Sequence, residues 1–347
     1  MKITKKNIVI GTVVGSLLIL VCLVYISIDY FRVPEIEESS KKVIVMIPRG
    51  ASISAIADTL LAKTLIGDKD LFLLWITALE KDRSLKAGYY EIPVGLNYPQ
   101  LIRYLSEARA KEIKVTLVEG WTIHDIAKEL SRNLNVNEDK LIELTQDSVF
   151  IKSLGIKAGS LEGYLLPDTY FFYWGIDEKQ ILEVLVRQCL AIFDQTIMAR
   201  LDSMKMTRHQ VLTLASIIEG EAIFDDERKL ISSVYHNRLK RRIKLQADPT
   251  IQYILDGPPK RLLYKDLEID SPYNTYKYYG LPPGPIKNPG EKSILAAIYP
   301  AKTDYLYFVA TGDGRHTFTK SAAEHSRAKA KFDKIRQEVY REKKYAN

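Results

Sequence analysis

Glu219 is the residue in this sequence whose neighbours best suit acid/base chemistry. It ends the stretch Val211-Leu-Thr-Leu-Ala-Ser-Ile-Ile218, which is apolar nearly all round and predicts a buried helix. A carboxyl beside such a helix loses hydration. Desolvation disfavours the charged form and raises the pKa, which is what a general acid needs near neutral pH. The competing reading is a glutamate at a helix end that reaches solvent. Glu221, two residues on, faces elsewhere on a helix and is expected to give structural support.

Other chemistries lack their residues. His124, His209, His236, His316 and His325 form no H-E-x-x-H pair and have no cysteine partners, so no zinc site and no other metal is expected. There is no G-x-S-x-G and no Walker A segment, which counts against a serine hydrolase of that type and a P-loop nucleotide enzyme. No cofactor is expected. Tyrosines number 21, with Tyr273, Tyr276, Tyr278 and Tyr279 close together. They could stack on sugar rings, although an aromatic core would give the same count.

Length and charge bound what must position these groups. The 347 residues, 46% apolar and 27% charged, leave room for a membrane segment and two folded units. Net charge is +7, but Lys2, Lys5 and Lys6 precede the first apolar run, and the remainder is too weakly basic for a nucleic-acid groove. From Ile8 to Ile28 there is no charged residue. As a helix this run would span about 31 Å, the thickness of a bilayer core, and Tyr30 and Phe31 follow where an aromatic belt would sit. A cleaved signal peptide would be shorter and end in small residues. The run predicts a single-pass anchor (8–28) with a cytoplasmic N-terminus (1–7) and a polar linker (29–42). Cys22 lies in the run and leaves Cys189 alone, so no disulfide can form within the rest.

An internal repeat follows the linker. Val45-Met-Ile-Pro-Arg-Gly50-Ala-Ser52-Ile53 through Leu60 matches Val115-Thr-Leu-Val-Glu-Gly120-Trp-Thr122-Ile123 through Leu130. Each copy predicts a short strand, a glycine turn, a Ser/Thr cap and an amphipathic helix. This points to a small α+β module of the LysM kind over 43–118, followed by a larger α+β domain over 119–347. Further helices are expected over Leu71–Leu79, from Asn135 to Leu154, over Lys179–Asp202 and over Glu227–Leu239. Strands are expected near Ala87–Ile92 and Tyr305–Ala310. Pro and Gly cluster at Leu281-Pro-Pro-Gly-Pro-Ile286 and Asn288-Pro-Gly290 as ordered loops.

The ordered motifs resemble those of the YceG-like (MltG-type) endolytic murein transglycosylases. They are Leu161-Glu-Gly-Tyr-Leu-x-Pro167-Asp-Thr-Tyr170, Leu214-Ala-Ser-Ile-Ile-Glu219-x-Glu221, Val234-Tyr-His-Asn237-Arg238-Leu239 and Leu245-Gln246-Ala-Asp248-Pro249-Thr250. Ser271-Pro-Tyr-Asn274-Thr-Tyr276, Gly280 through Gly290 and Pro300 through Ala310 continue the series, so the likeness covers about 43–335. The resemblance implies that Glu219 is the catalytic acid/base. It also implies cutting between N-acetylmuramic acid and N-acetylglucosamine within a strand, with a 1,6-anhydro end.

The expected partners are peptidoglycan glycan strands, the membrane and peptidoglycan synthases, with the catalytic domain outside the cytoplasmic membrane. Glu162, Gln246, Asp248, Tyr273 and Asn274 are expected to hold the glycan or orient Glu219, or else to satisfy backbone in the loops. Arg228 and Arg238 would meet substrate carboxylates, or pair with Glu221 or Glu227. Gly220, where relatives often carry a charged residue, is expected to loosen the backbone beside Glu219. The rival readings are a non-catalytic peptidoglycan-binding scaffold and a water-using hydrolase. The hydrolase would need a second carboxylate, for which Asp248 and Glu162 are the candidates.

Overall fold

The computed structural model describes residues 41–345 except 49, 83, 108–111, 256, 258 and 259, with side chains as far as Lys334. In the first apolar run it describes only Val14, Leu17, Leu20, Val21 and Val24, which are helical. The expected anchor over 8–28 otherwise lies outside the described residues, as do the N-terminal 1–7 and nearly all of the linker. Among the described residues no helix is long and apolar enough to cross a membrane. The described residues divide into two compact units, one up to residue 113 with 171–176 and one of 114–170 with 177–345.

The first unit follows a β–α–α–β–α order. It comprises β1 (Lys42–Ile47), α1 (Ile53–Ala62), α2 (Lys69–Ala78), β2 (Gly88–Pro93) and α3 (Tyr98–Glu107). β1 and β2 pair antiparallel, with Val45 opposite Tyr90. Period-two alternation sets the faces: Val45 and Ile47 are buried while Ile44 and Met46 are exposed. Ile56 and Leu60 of α1, Phe72 and Ile76 of α2, and Leu101, Ile102 and Leu105 of α3 complete the core. The Ser52 hydroxyl accepts from the Ala55 amide at 3.2 Å and so starts α1. The Asp68 carboxylate does the same for α2 through Leu71 at 2.8 Å.

The second unit begins with β3 (Glu112–Thr116), α4 (Ile123–Leu134), α5 (Glu138–Leu144), α6 (Ser148–Ser153) and β4 (Thr169–Tyr173). β3 pairs with β4, and the division between the units falls within both strands. α7 (Glu178–Ala191), α8 (Gln195–Met204), α9 (Arg208–Glu221), α10 (Asp225–Lys240) and α11 (Asp248–Ile254) follow. A 3-10 turn (Tyr264–Glu268), α12 (Glu291–Ile298), the hairpin β5 (Tyr307–Ala310) and β6 (His316–Thr319), and α13 (Ala322–Tyr345) complete it.

α9 is the axis of this unit. Every residue from Val211 to Ile218 is buried, and α10, α11 and α12 pack around it. A helix apolar on all sides has to be enclosed, and that requirement gathers its neighbours. A capping box, Thr207 with Gln210, fixes its start.

Both copies of the repeat fold as strand, glycine turn and capped helix. Gly50 and Gly120 take positive φ of 75° and 80°, and Ser52 and Thr122 cap α1 and α4. The single helix expected over Lys179–Asp202 is two, α7 and α8. The apolar period runs on across the junction, but Asp194 takes the Ile197 amide at 2.7 Å and caps a new helix.

Candidate active site

Within the second unit, two loops and two helices meet at the last turn of α9. The loop after β3 brings Glu119 and Gly120, α9 brings Glu219, α10 brings Arg228, and the loop before α12 brings Lys287 to Gly290. The Glu219 side chain is 6% exposed. Its Oε1 accepts from Arg228 at 2.9 Å, and its Oε2 accepts from the Gly290 amide at 3.0 Å. The negative end of a helix dipole disfavours a carboxylate in this turn. The guanidinium and the amide supply the compensating charge and donors.

Arg228 stands one turn into α10, behind the acidic start Asp225-Asp226-Glu227. Its Nε donates to Asp225 at 3.0 Å, it also donates to Ser293, and it lies 3.7 Å from Glu119. Burial alone would lower its pKa. The carboxylates around it, Glu219 foremost, hold it above its ordinary value. The expected pairing with Glu221 or Glu227 is not what forms. Among the described residues Arg238 pairs with no carboxylate: it donates to the carbonyls of Leu306 and Leu245 at 2.6 and 2.7 Å and lies over the Tyr307 ring.

Asn288, fully buried, ties the loops together. Its side-chain oxygen accepts from the amides of Gly163 and Leu165 at 2.8 and 3.1 Å. Its side-chain nitrogen donates to Glu162 at 2.8 Å and to the Trp121 carbonyl at 3.0 Å. The backbones join as well: Gly120 donates to the Asn288 carbonyl and Asn288 to that of Trp121, both at 2.9 Å. Glycines allow the approach. A Cβ on Gly120 would meet Glu219 Cγ at an ordinary 3.6 Å, so it is the φ of 80° that calls for glycine there. One on Gly220 would come within 2.6 Å of the Pro249 ring, so Gly220 is a point of tight packing against α11 and does not loosen the backbone.

The other expected residues distribute unevenly. Glu162 is buried in the Asn288 knot, where its two oxygens also accept from the Ile123 amide at 3.2 and 3.3 Å. Burial pushes its carboxyl up to about 8. Gln246, with φ of 48°, and Asp248 line a cavity of about 420 Å³ together with Glu221, Arg238 and Tyr276. Asp248 accepts from the Tyr276 hydroxyl. Glu221 accepts from the Tyr235 hydroxyl at 2.9 Å, and burial raises it to about 7.

Tyr273 packs on Tyr253, ring centroids 4.9 Å apart. Asn274 spends its amide on its own loop: it donates to the Leu267 and Ile269 carbonyls and accepts from the amides of Tyr276 and Lys277. It is fully buried and holds a turn. A larger cavity, about 970 Å³, lies by the start of α9 around His209, Met204 and Leu281, and no carboxylate lines it.

Sequence reasoning missed Glu119, Lys287 and the Gly290 amide around Glu219, and Ser293 as a partner of Arg228. The Asn-Pro-Gly run at 288–290 was the one available signal. Burial lowers the pKa of Lys287, against the pull of Glu219, Glu221, Asp125 and Glu162.

The YceG-like family matches residues 45–331. An endolytic murein transglycosylase of Bacillus subtilis (strain 168) is 36% identical over 315 residues, covering 86% of this chain and 87% of that protein. One from Streptococcus pneumoniae (strain D39) is 30% identical over 328 residues, covering 84% of this chain and 59% of the relative. The crystal structure of a YceG-like protein from Listeria monocytogenes superposes with a TM-score of 0.58 at 37% identity, over 83% of this chain and 98% of that one.

Glu162 and Glu221 keep protons in the folded chain that they lose above their ordinary pKa of 4.5 when unfolded. The folded state therefore binds more protons from about pH 4.5 up to about 7 for Glu221 and about 8 for Glu162, and stability falls as pH rises through that window. Denaturant midpoints should decline across it, and Glu162→Gln, which imitates the protonated acid, should flatten the decline. An unchanged slope would contradict the buried, protonated state of Glu162.

Proposed function

The chain belongs to the YceG-like family and is a lytic transglycosylase of peptidoglycan, and we propose that Glu219 is its acid/base. In this reading it cuts between N-acetylmuramic acid and N-acetylglucosamine inside nascent strands and leaves a 1,6-anhydro end. The observation that carries the assignment is the carboxylate at the convergence of the loops, held by Arg228 on one oxygen and the Gly290 amide on the other.

The chemistry needs one carboxyl where a hydrolase ordinarily needs two. Glycoside hydrolases place a second carboxyl about 5–5.5 Å away when retaining, or about 6.5–9.5 Å away when inverting, to act as nucleophile or to activate water. In a transglycosylase the 6-hydroxyl of the muramyl ring is the nucleophile. Protonated Glu219 gives its proton to the leaving oxygen as the C1–O bond breaks. The carboxylate so formed is stabilised by Arg228 and the Gly290 amide. It then takes the proton of the 6-hydroxyl as that oxygen bonds C1, so the acid is restored and no water is consumed.

Residues 8–28 serve in this reading as a single-pass anchor that holds the enzyme on the outer side of the cytoplasmic membrane, beside the synthases that polymerise the strand. The five described positions of that run support it, being helical, apolar and half or more exposed. The β–α–α–β start of the first unit suits a LysM-like module.

Two outcomes are expected. Glu219→Gln should lower kcat on uncrosslinked glycan strands by about 10²–10⁴-fold with little change in strand binding; a variant that cuts at the wild-type rate would remove Glu219 from the mechanism. The full chain should stay in the membrane pellet through alkaline carbonate washing, and its release would refute the anchor.

A further inference from the structure

Glu119 stands beside Glu219 and has no task in the mechanism above. Its position is fixed by its backbone. Leu117 donates to the Asp168 carbonyl and Gly120 to that of Asn288, both at 2.9 Å, so the two ends of its loop are pinned. Its carboxylate rests over Gly290, where any side chain would collide with it, and the amide of that same Gly290 binds Glu219. The two carboxylates also share Arg228, Glu219 at 2.9 Å and Glu119 at 3.7 Å.

They differ in access. Glu219 is 6% exposed and both its oxygens are engaged, whereas the Glu119 side chain is 45% exposed. Among the described residues no donor lies within hydrogen-bonding distance of the Glu119 carboxylate. An ionised carboxyl has about four lone-pair sites, and a side chain 45% exposed leaves part of them open beside the acid. The repeat adds a contrast, since the matching turn residue of the first copy is Arg49. The turn recurs, while the carboxylate belongs to the copy that abuts α9.

We propose that Glu119 accepts the hydrogen bond of the substrate's 6-hydroxyl and aims that oxygen, in preference to water, at C1. The inference rests on the transglycosylase reading above. Once the C1–O bond to the leaving sugar has broken and Glu219 has given up its proton, two nucleophiles compete. Attack by the 6-hydroxyl closes the anhydro ring and returns its proton to Glu219. Attack by water gives a product one water heavier and returns the water's proton instead. Glu119 biases the competition by holding the hydroxyl next to the carboxylate that will take its proton. Neither Asp248 nor Glu162, the carboxylates expected from sequence, is placed this way.

The test uses the full chain in detergent, uncrosslinked glycan strands, and the variants Glu119→Ala and Glu119→Gln. Products are weighed by mass, and the ratio of hydrated to anhydro ends is read on each preparation, so losses of folded protein cancel. Losing a hydrogen bond to a charged group should lower kcat about 10- to 100-fold for Glu119→Ala, with KM little changed, and hydrated ends should appear. Glu119→Gln, which keeps an acceptor oxygen, should fall between it and the wild type. A wild-type ratio of ends in both variants overturns the proposal at whatever rate they cut. So does complete loss of cutting in both, which would leave Glu119 only a support for Arg228. Hydrated ends from the wild type itself would instead sink the transglycosylase reading.

Discussion

Glu219 and Arg228 are both withdrawn from water and pair at 2.9 Å, Arg228 being the cation on Glu219 while Asp225 supplies Arg228 with a second carboxylate at 3.0 Å. Removing Arg228 would leave a buried carboxylate without its cation, a loss that typically costs about 3–5 kcal/mol. This requirement sets much of the surrounding geometry. α9 and α10 have to run so that the end of one meets the first turns of the other. The loop before α12 has to turn its Gly290 amide inward to the second oxygen. Gly220 has to lack a side chain because the Pro249 ring occupies the space, and Gly120 takes a φ of 80° that residues with side chains rarely adopt. Asn288 holds the loops to that plan with hydrogen bonds from both ends of its amide.

The charge around the acid is also regulated. Burial raises Glu162 to about 8 and Glu221 to about 7, so at neutral pH the first is mostly protonated and the second carries only part of a negative charge. Arg228 divides its donors among Glu219, Asp225 and Ser293, with Glu119 just beyond hydrogen-bonding distance. Under the proposed acid/base role, a guanidinium shared in this way stabilises the carboxylate that proton donation leaves behind without belonging to it alone. Such a balance suits a group that has to release a proton and recover it within one turnover.

Much of this was legible in the sequence where the signal was local. The apolar run to Ile218 marked α9 as buried and placed Glu219 at its end. The repeat fixed two strand–turn–helix units and their caps to within a few residues. Reading failed where partners come from distant segments. Nothing near Arg228 says that it will turn to Glu219 and not to Glu221 or Glu227, because that choice is made by how α9 and α10 pack. For Asn274 the sequence left two readings open, a glycan contact or a side chain that satisfies loop backbone, and the structure shows the second. The neighbouring backbone consumes the whole amide, a demand that composition does not reveal. The Lys179–Asp202 period concealed a helix break because Asp194 caps without disturbing the apolar spacing.

The claim at the centre is that the buried carboxyl of Glu219 meets the glycosidic oxygen. The most direct measurement is a crystal structure of the Glu219→Gln chain with an uncut glycan strand bound. The account predicts the substituted side-chain amide about 2.6–3.2 Å from the oxygen joining two sugars, with Arg228 and the Gly290 amide still at its side. A strand seated instead in the 970 Å³ cavity near His209, with no sugar oxygen near the substituted side chain, would contradict it.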